Sequence, residues 1–325
     1  MKIGQLELTG NIFLAPMAGI TNLPFRVVAR EFGCFFAFTE MISATGLIRD
    51  SAKSYRYLDS SPHDQPLGVQ IFGSDPAILA EAARIAAANG ASLLDINMGC
   101  PVRKVVQTGA GAALMKDPER IEKILKAVRD AISIPLSIKI RSGWNKSAIN
   151  APDIALMAQN LGVDAVTIHP RTAEQGFSGA ADWQIINQVK KVLTIPVIGS
   201  GDIRTGADAL EMKRVSSCDA FMVGRGALGS PWIFQEIAAA LNGETTWTPP
   251  SLTRRREVIH NHLEKEIAYA GEKHGYKCFR KHLLWYTKGL RGGARFRQIA
   301  GNLISAEQMG EAFDLYLAEM DNYTE

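Results

Sequence analysis

The chain has 325 residues, 46% of them hydrophobic, and a formal net charge of +3, enough apolar content for one large core or for a large and a small domain. Its four cysteines, Cys34, Cys100, Cys218 and Cys278, form no CxxC pair and no zinc-ligand spacing, so neither a disulfide framework nor a metal is expected. The N-terminus lacks a basic segment followed by an apolar one, and no apolar run approaches the ~18 residues of a membrane span, so a cytoplasmic protein without membrane contact is expected.

Eight short apolar or β-branched runs follow one another: IFLAP at 12–16, FAFTE at 36–40, LGVQIFG at 67–73, LLDINMG at 93–99, PLSIKIR at 135–141, DAVTIHPR at 164–171, PVIGSGD at 196–202 and DAFMVGR at 219–225. Several lack polar alternation, as strands covered on both faces do. Helical patterns lie between them, such as DPAILAEAARIAAANG, stopped at Gly90, and DPERIEKILKAVRDAI, opened by Asp-Pro. Eight strands alternating with helices predict a (β/α)8 TIM barrel. The absence of GxGxxG after the first run argues against a doubly wound sheet. ETTWTPPSL at 244–252 reads as a linker, because adjacent prolines stop a helix. Three helical patterns follow and no strand. The expected division is a barrel at 1–243 and a small helical domain at 244–325.

Charge is uneven along the chain. Residues 251–300 hold 12 Lys and Arg against 4 Asp and Glu, whereas residues 301–325 hold 6 acidic residues and no basic one. A near-neutral body with one basic segment suits a local anionic partner, and equally a solvated helix face.

Barrels place chemistry at the C-terminal ends of their strands. Those ends carry Pro16-Met17-Ala18, Glu40, Asn97 and Cys100, Lys139 and Arg141, His169 and Arg171, Ser200-Gly201-Asp202, and Gly224-Arg225-Gly226, with Gln70 inside the third run. Lys139 interrupts an apolar run, where a lysine is rarely buried without a partner. Gln70, Lys139 and His169 are expected at similar depth around the mouth. Glycines at the seventh and eighth ends let backbone N–H groups approach a phosphate, and Arg225 adds a charged donor. Flavin mononucleotide fits this layout, with Lys139 offsetting charge on the reduced ring; a phosphorylated sugar fits the same anion site.

Cys100 lies past its strand end, between Gly99 and Pro101. A lone cysteine is ordinarily an inert core thiol. In a loop, a thiol with an unperturbed pKa of about 8.5 stays protonated at neutral pH and can donate a proton. Arg103 and Lys104 would lower that pKa if they face it. QTGAGAAL at 107–114 reads as a mobile continuation.

LAPMAGITNLPFR, INMGCPVRKV, SIKIRSGW, TIHPRT and RKHLLWYTKG together resemble the bacterial tRNA-dihydrouridine synthases, in their DusB-like branch, from about residue 2 into the C-terminal helices. The resemblance implies a flavin-binding barrel with a small helical domain, using FMN and NADPH, or NADH, to reduce chosen uridines of tRNA. By resemblance, Cys100 is the proton donor. Pro16, Met17, Ala18, Gln70, Lys139 and His169 surround the flavin ring, and Ser200, Gly201, Asp202, Gly224 and Arg225 contact its ribityl chain and phosphate. Asn97 and Arg141 hold the uracil. Ser200 stands where most relatives have Asn, and Pro170 where they have Gly, which removes a backbone donor.

On this reading hydride adds to uracil C6 and Cys100 protonates C5, after the base has left its stack. Arg280, Lys281, His282 and Lys288, beside Trp285 and Tyr286, are expected to meet tRNA phosphate. A monomer without metal is expected. Two other readings are a flavin barrel acting on a free pyrimidine, as in dihydroorotate oxidation, and a non-catalytic RNA-binding regulator.

Overall fold

The computed structural model describes residues 1–244 and 246–321. The expected linker therefore includes one residue, Thr245, and the expected helical domain four, 322–325, that lie outside the described residues.

Eight parallel strands form the barrel: β1 (Ile12–Leu14), β2 (Phe36–Phe38), β3 (Leu67–Phe72), β4 (Leu93–Met98), β5 (Leu136–Arg141), β6 (Ala165–His169), β7 (Val197–Ser200) and β8 (Ala220–Val223). Each pairs with the next, β8 pairs back to β1 through Phe221↔Ile12, and β2 pairs with β3 through Ala37↔Leu67, so the sheet closes. All eight expected strands are present. They lack alternation because helices cover one face and barrel packing fills the other; every residue of β4 is buried.

The helices start where the sequence signals them. Asp75 caps Pro76–Ala88 and Asp117 caps Pro118–Ala131, each accepting from a backbone N–H at 2.9 and 3.0 Å. Phe13, Phe36 and Phe38 fill the lower barrel with edge-on contacts. Gly68 has no side chain because a Cβ there would lie 2.5 Å from Phe38. An N-terminal hairpin, Lys2–Ile3 against Leu6–Glu7, closes that floor with Ile3 and Leu8. The floor being packed solid, a ligand can enter only at the strands' C-terminal ends.

Ile233–Leu241 is the last helix packed on the barrel. Leu252–Ala270, Glu272–Tyr286, Gly293–Ala300 and Ala306–Asp321 follow and share a second apolar cluster. The helix Leu23–Glu31 links the clusters, giving Phe25 and Ala29 to the barrel and Val28 and Phe32 to the C-terminal helices. A buried carboxylate fixes its position: Asp64 accepts from Arg26 Nε at 2.9 Å and from Arg30 Nε at 3.1 Å. Among the described residues, no helix is long and apolar enough to cross a membrane.

Removing one partner of such a buried pair leaves an uncompensated charge. Asp64→Ala should therefore lower stability by about 3–5 kcal/mol in urea unfolding followed by circular dichroism. A loss below about 1 kcal/mol, the range of an exposed pair, would show that Asp64 does not anchor the shared helix.

Candidate active site

The strand ends enclose a cavity of about 530 Å³. Its wall includes Pro16, Met17, Ala18, Asn97, Cys100, Lys139, Arg141, His169, Ser200, Gly201, Asp202, Gly224 and Arg225. Gln70 is not in that wall. It is fully buried beneath Asn97, which corrects the expectation that it shares the depth of Lys139 and His169.

Below the cavity runs a hydrogen-bond chain. Ser137 Oγ donates to Asp95 Oδ1 at 2.6 Å, and Gln70 Nε2 donates to Asp95 Oδ2 at 2.7 Å. Asn97 Nδ2 donates to Gln70 Oε1 at 2.8 Å. Asn97 Oδ1 then accepts from the backbone N–H groups of Gly99 at 3.1 Å and Cys100 at 2.9 Å. Strand register builds the chain, since Gln70 pairs with Asp95 across β3 and β4, and Asp95 with Ser137 across β4 and β5. Burial pushes the Asp95 carboxyl up to about 6, against the pull of the Ser137 and Gln70 bonds and of Lys139. Both of its oxygens act as acceptors, as those of a carboxylate do. The sequence reading missed Asp95. The available signal was a pair of polar residues, Asp95 and Asn97, two apart and so on one face of an otherwise apolar strand.

Cys100 is held from both sides. Besides the Asn97 bond, its carbonyl accepts from Ala112 N at 2.9 Å. Gly111, at φ +60°, allows this approach, because a Cβ would lie 2.7 Å from that carbonyl. The segment expected to be mobile is thus packed in part: Gly111–Lys116 is a 3₁₀ helix, with Ala110 and Ala112 fully buried. Arg103 and Lys104 are exposed. The cations acting on the thiol are instead Arg141 and Lys139, and burial outweighs them, raising its pKa above the ordinary value.

Arg141 is buried and spans two loops. Its Nε donates to Gly99 O at 2.7 Å, and its Nη1 to Thr172 O at 2.9 Å and Gly176 O at 2.8 Å. Among the described residues no acceptor bonds the ammonium of Lys139, whose pKa falls to about 8 through burial and then Arg141. Burial, with Lys139 and the arginines around it, holds His169 well below the usual imidazole range, so the ring is neutral at pH 7.

At the other end of the cavity, Asp202 accepts from Arg171 at 3.0 and 2.6 Å, from Arg225 at 3.3 Å and from Ala181 N at 2.9 Å. Its carboxylate therefore holds arginines. Gly201 has φ +105°, and a Cβ there would lie 2.8 Å from His169 Cδ2, so the backbone itself forms the wall. Phe177, 58% exposed, overhangs the mouth with Arg225 4.7 Å and His169 6.2 Å from its ring centre. Nothing in its own loop, TAEQGFSGA, marked it beforehand.

The expected RNA-facing residues divide. Lys288 is exposed. Lys281 donates to the Gly19 carbonyl on the β1 loop, whose N–H is bound by Glu40. Arg280 Nη2 donates to Leu303 O at 2.6 Å. His282 is fully buried among Phe25, His262, Phe279 and Trp285, and cannot meet a polyanion. The His282 expectation is therefore corrected, and Tyr286 is likewise core.

A parallel barrel with a floor of packed side chains, an arginine-bearing glycine end and a clamped thiol defines an enzyme acting on a bound ligand at its strand ends. The dihydrouridine synthase family model matches residues 13–320. A tRNA-dihydrouridine synthase B of Xanthomonas axonopodis pv. citri is 41% identical over 92% of this chain and 90% of its own length. That of Vibrio cholerae is 37% identical over 97% and 98%, and a probable tRNA-dihydrouridine synthase of Rickettsia conorii 40% identical over 91% and 90%. The chain belongs to the dihydrouridine synthase family and is an oxidoreductase.

The burial of Cys100 makes a direct prediction. Its alkylation by iodoacetamide should titrate with a midpoint above the ~8.5 of a free thiol. Lys139→Met, which removes a cation, should move the midpoint higher still. A midpoint below that of a free thiol would mean that the cations outweigh burial.

Proposed function

We propose that this enzyme reduces the C5=C6 bond of uridines in tRNA, with FMN as bound cofactor, NADPH as reductant and Cys100 as proton donor. The observation that carries the reading is the thiol of Cys100, its backbone clamped on both sides, in one cavity with Lys139 and the glycine-arginine end. The residues suit a flavin. The cavity volume is in the range of cofactor sites, and the Gly201 backbone and the exposed guanidinium of Arg225 are available to a phosphate. Pro16, Met17, Ala18, Lys139 and His169 would surround the ring, and Ser200, Gly201, Asp202, Gly224 and Arg225 the chain and phosphate. When bound, the flavin takes electrons from NADPH and supplies the hydride that adds to uracil C6.

The protein's own residues do the rest. Hydride addition leaves negative charge at C5, shared with O4, and the Cys100 Sγ–H supplies the proton that C5 needs. A raised pKa keeps that proton on sulfur at neutral pH. Arg141 spends two of its nitrogens on loop carbonyls, so it acts on the uracil through its charge and its remaining Nη2. Asn97 spends its amide on Gln70 and Cys100, so its main effect is to aim the thiol. Phe177 offers a stacking face to a base turned out of the tRNA.

The described C-terminal helices supply the polyanion surface through exposed groups such as Lys288 and Arg295. Residues 1–243 would then be the catalytic domain and 244–325 the tRNA-binding domain, working in the cytoplasm.

Incubation of unmodified tRNA transcript with the purified protein and NADPH should add two hydrogens at mapped uridines, read by mass spectrometry. Cys100→Ala should keep flavin and NADPH oxidation while dihydrouridine formation falls by about 10²- to 10⁴-fold. Normal formation by that variant would remove Cys100 from the mechanism. Lys288→Gln with Arg295→Gln should reduce the slope of log affinity for tRNA against log salt by about 2, measured by filter binding; an unchanged slope would place the RNA elsewhere.

A further inference from the structure

The junction between barrel and C-terminal helices contains a polar cluster that the proposed reaction does not use. His262 and Glu266 lie one turn apart on Leu252–Ala270, and His282 reaches the same point from Glu272–Tyr286. All three residues are fully buried. One ligand atom from each lies within 4.8 Å of the other two. His262 Nε2 and both ring nitrogens of His282 have no hydrogen-bond partner among the protein groups. Native proteins rarely leave so many buried polar atoms unpaired at one point.

The surrounding groups are arranged as they are around metal ligands. His262 Nδ1 is 3.1 Å from the Tyr286 hydroxyl. A proton donated there leaves the Nε2 lone pair directed at Glu266, whose Oε1 is 3.6 Å away. Asn22, from the loop before the first barrel helix, donates to Glu266 Oε1 at 2.8 Å and Oε2 at 2.9 Å. Partners of this kind fix the tautomer and orientation of ligating His and carboxylate groups.

We propose that His262, Glu266 and His282 bind one borderline divalent cation of the zinc class, which fastens the C-terminal helices to the barrel. Two imidazoles and a carboxylate suit zinc better than magnesium or calcium, which favour all-oxygen sites. With ligand bonds of about 2.0–2.1 Å, tetrahedral neighbours stand about 3.4 Å apart. The His262–Glu266 separation is already close to that, and the His282 nitrogen, within 4.8 Å of both, needs to move by up to about 1.5 Å. Glu266 is the carboxylate beside His262 Nε2, and neutral imidazole is the form that ligates. The cation would offset the buried carboxylate's charge. The ring of Phe25 covers the cluster, 5.6 Å from His262 and 4.9 Å from His282, and none of the three residues lines the reaction cavity. The role is therefore structural. Cysteine spacing gave no hint of it, because the ligands are His and Glu from two helices.

The test is elemental analysis of the full-length protein purified without added metal, followed by zinc titration of chelator-treated protein with thermal melting. It does not depend on the reaction proposed above. About one zinc per chain is expected in the wild type, little in His282→Ala or Glu266→Gln, and a rise in melting temperature on zinc addition to the wild type alone. Cobalt should give the intense visible bands of a tetrahedral site. Wild-type protein with no stoichiometric metal and no shift in melting on zinc addition would overturn the proposal, even if the variants fail to fold. Stoichiometric zinc retained by folded variants would also overturn it.

Discussion

The hydrogen-bond chain beneath Cys100 is fixed at both ends: both oxygens of Asp95 accept, and the backbone N–H groups of Gly99 and Cys100 can only donate. Gln70 must turn its NH₂ toward Asp95, so it presents its carbonyl to Asn97. Asn97 must then give its NH₂ to Gln70 and its oxygen to the backbone N–H groups of Gly99 and Cys100. Were either amide reversed, two donors or two acceptors would face each other in a buried site, at a cost of about 1–3 kcal/mol each. The position of the thiol is thus set by a residue that never touches the cavity.

The same burial sets the protonation states. A low-dielectric barrel mouth disfavours every charged form, so the thiol keeps its proton, His169 stays neutral and Lys139 becomes easier to deprotonate. Arg141 keeps its charge through the same burial, because its pKa falls from a higher starting point, to about 10. It is the charge that the fold keeps at the thiol's side, held in place by three carbonyls. At the opposite end, Asp202 gathers Arg171 and Arg225. The cavity is therefore polarised, with its cations at fixed positions before any ligand arrives, which is the preorganisation that catalysis of charge development requires.

Much of this was legible in the sequence. Strands covered on both faces appear as short apolar runs, so all eight could be counted. The barrel rule then brought Cys100, Lys139, His169 and Gly224-Arg225 to one mouth. Depth along a strand was harder to read. Gln70, the fourth residue of β3, lies a layer below Asn97, the fifth residue of β4, and only register shows it. The C-terminal helices misled through composition. His282 falls on the stripe Phe279, His282, Leu283, Tyr286, which is helical core spacing, and it is core. Arg280 and Lys281 are basic in type, yet each spends a donor inside the protein, on Leu303 and Gly19. Phe177 had no local signal, because its place over the mouth depends on Arg141 tying down the loop that carries it.

The most direct test of this account is single-turnover uridine reduction by Asp95→Asn, started from protein in which the proposed flavin is already reduced. An amide at position 95 replaces a charged two-oxygen acceptor by a neutral one and turns an NH₂ toward either Gln70 or Ser137, so the chain that holds Asn97 is weakened. The account predicts a fall of about 10²-fold in dihydrouridine formation, with flavin content, its reduction by NADPH and tRNA affinity unchanged. A wild-type rate in that variant would show that the chain does not position Cys100.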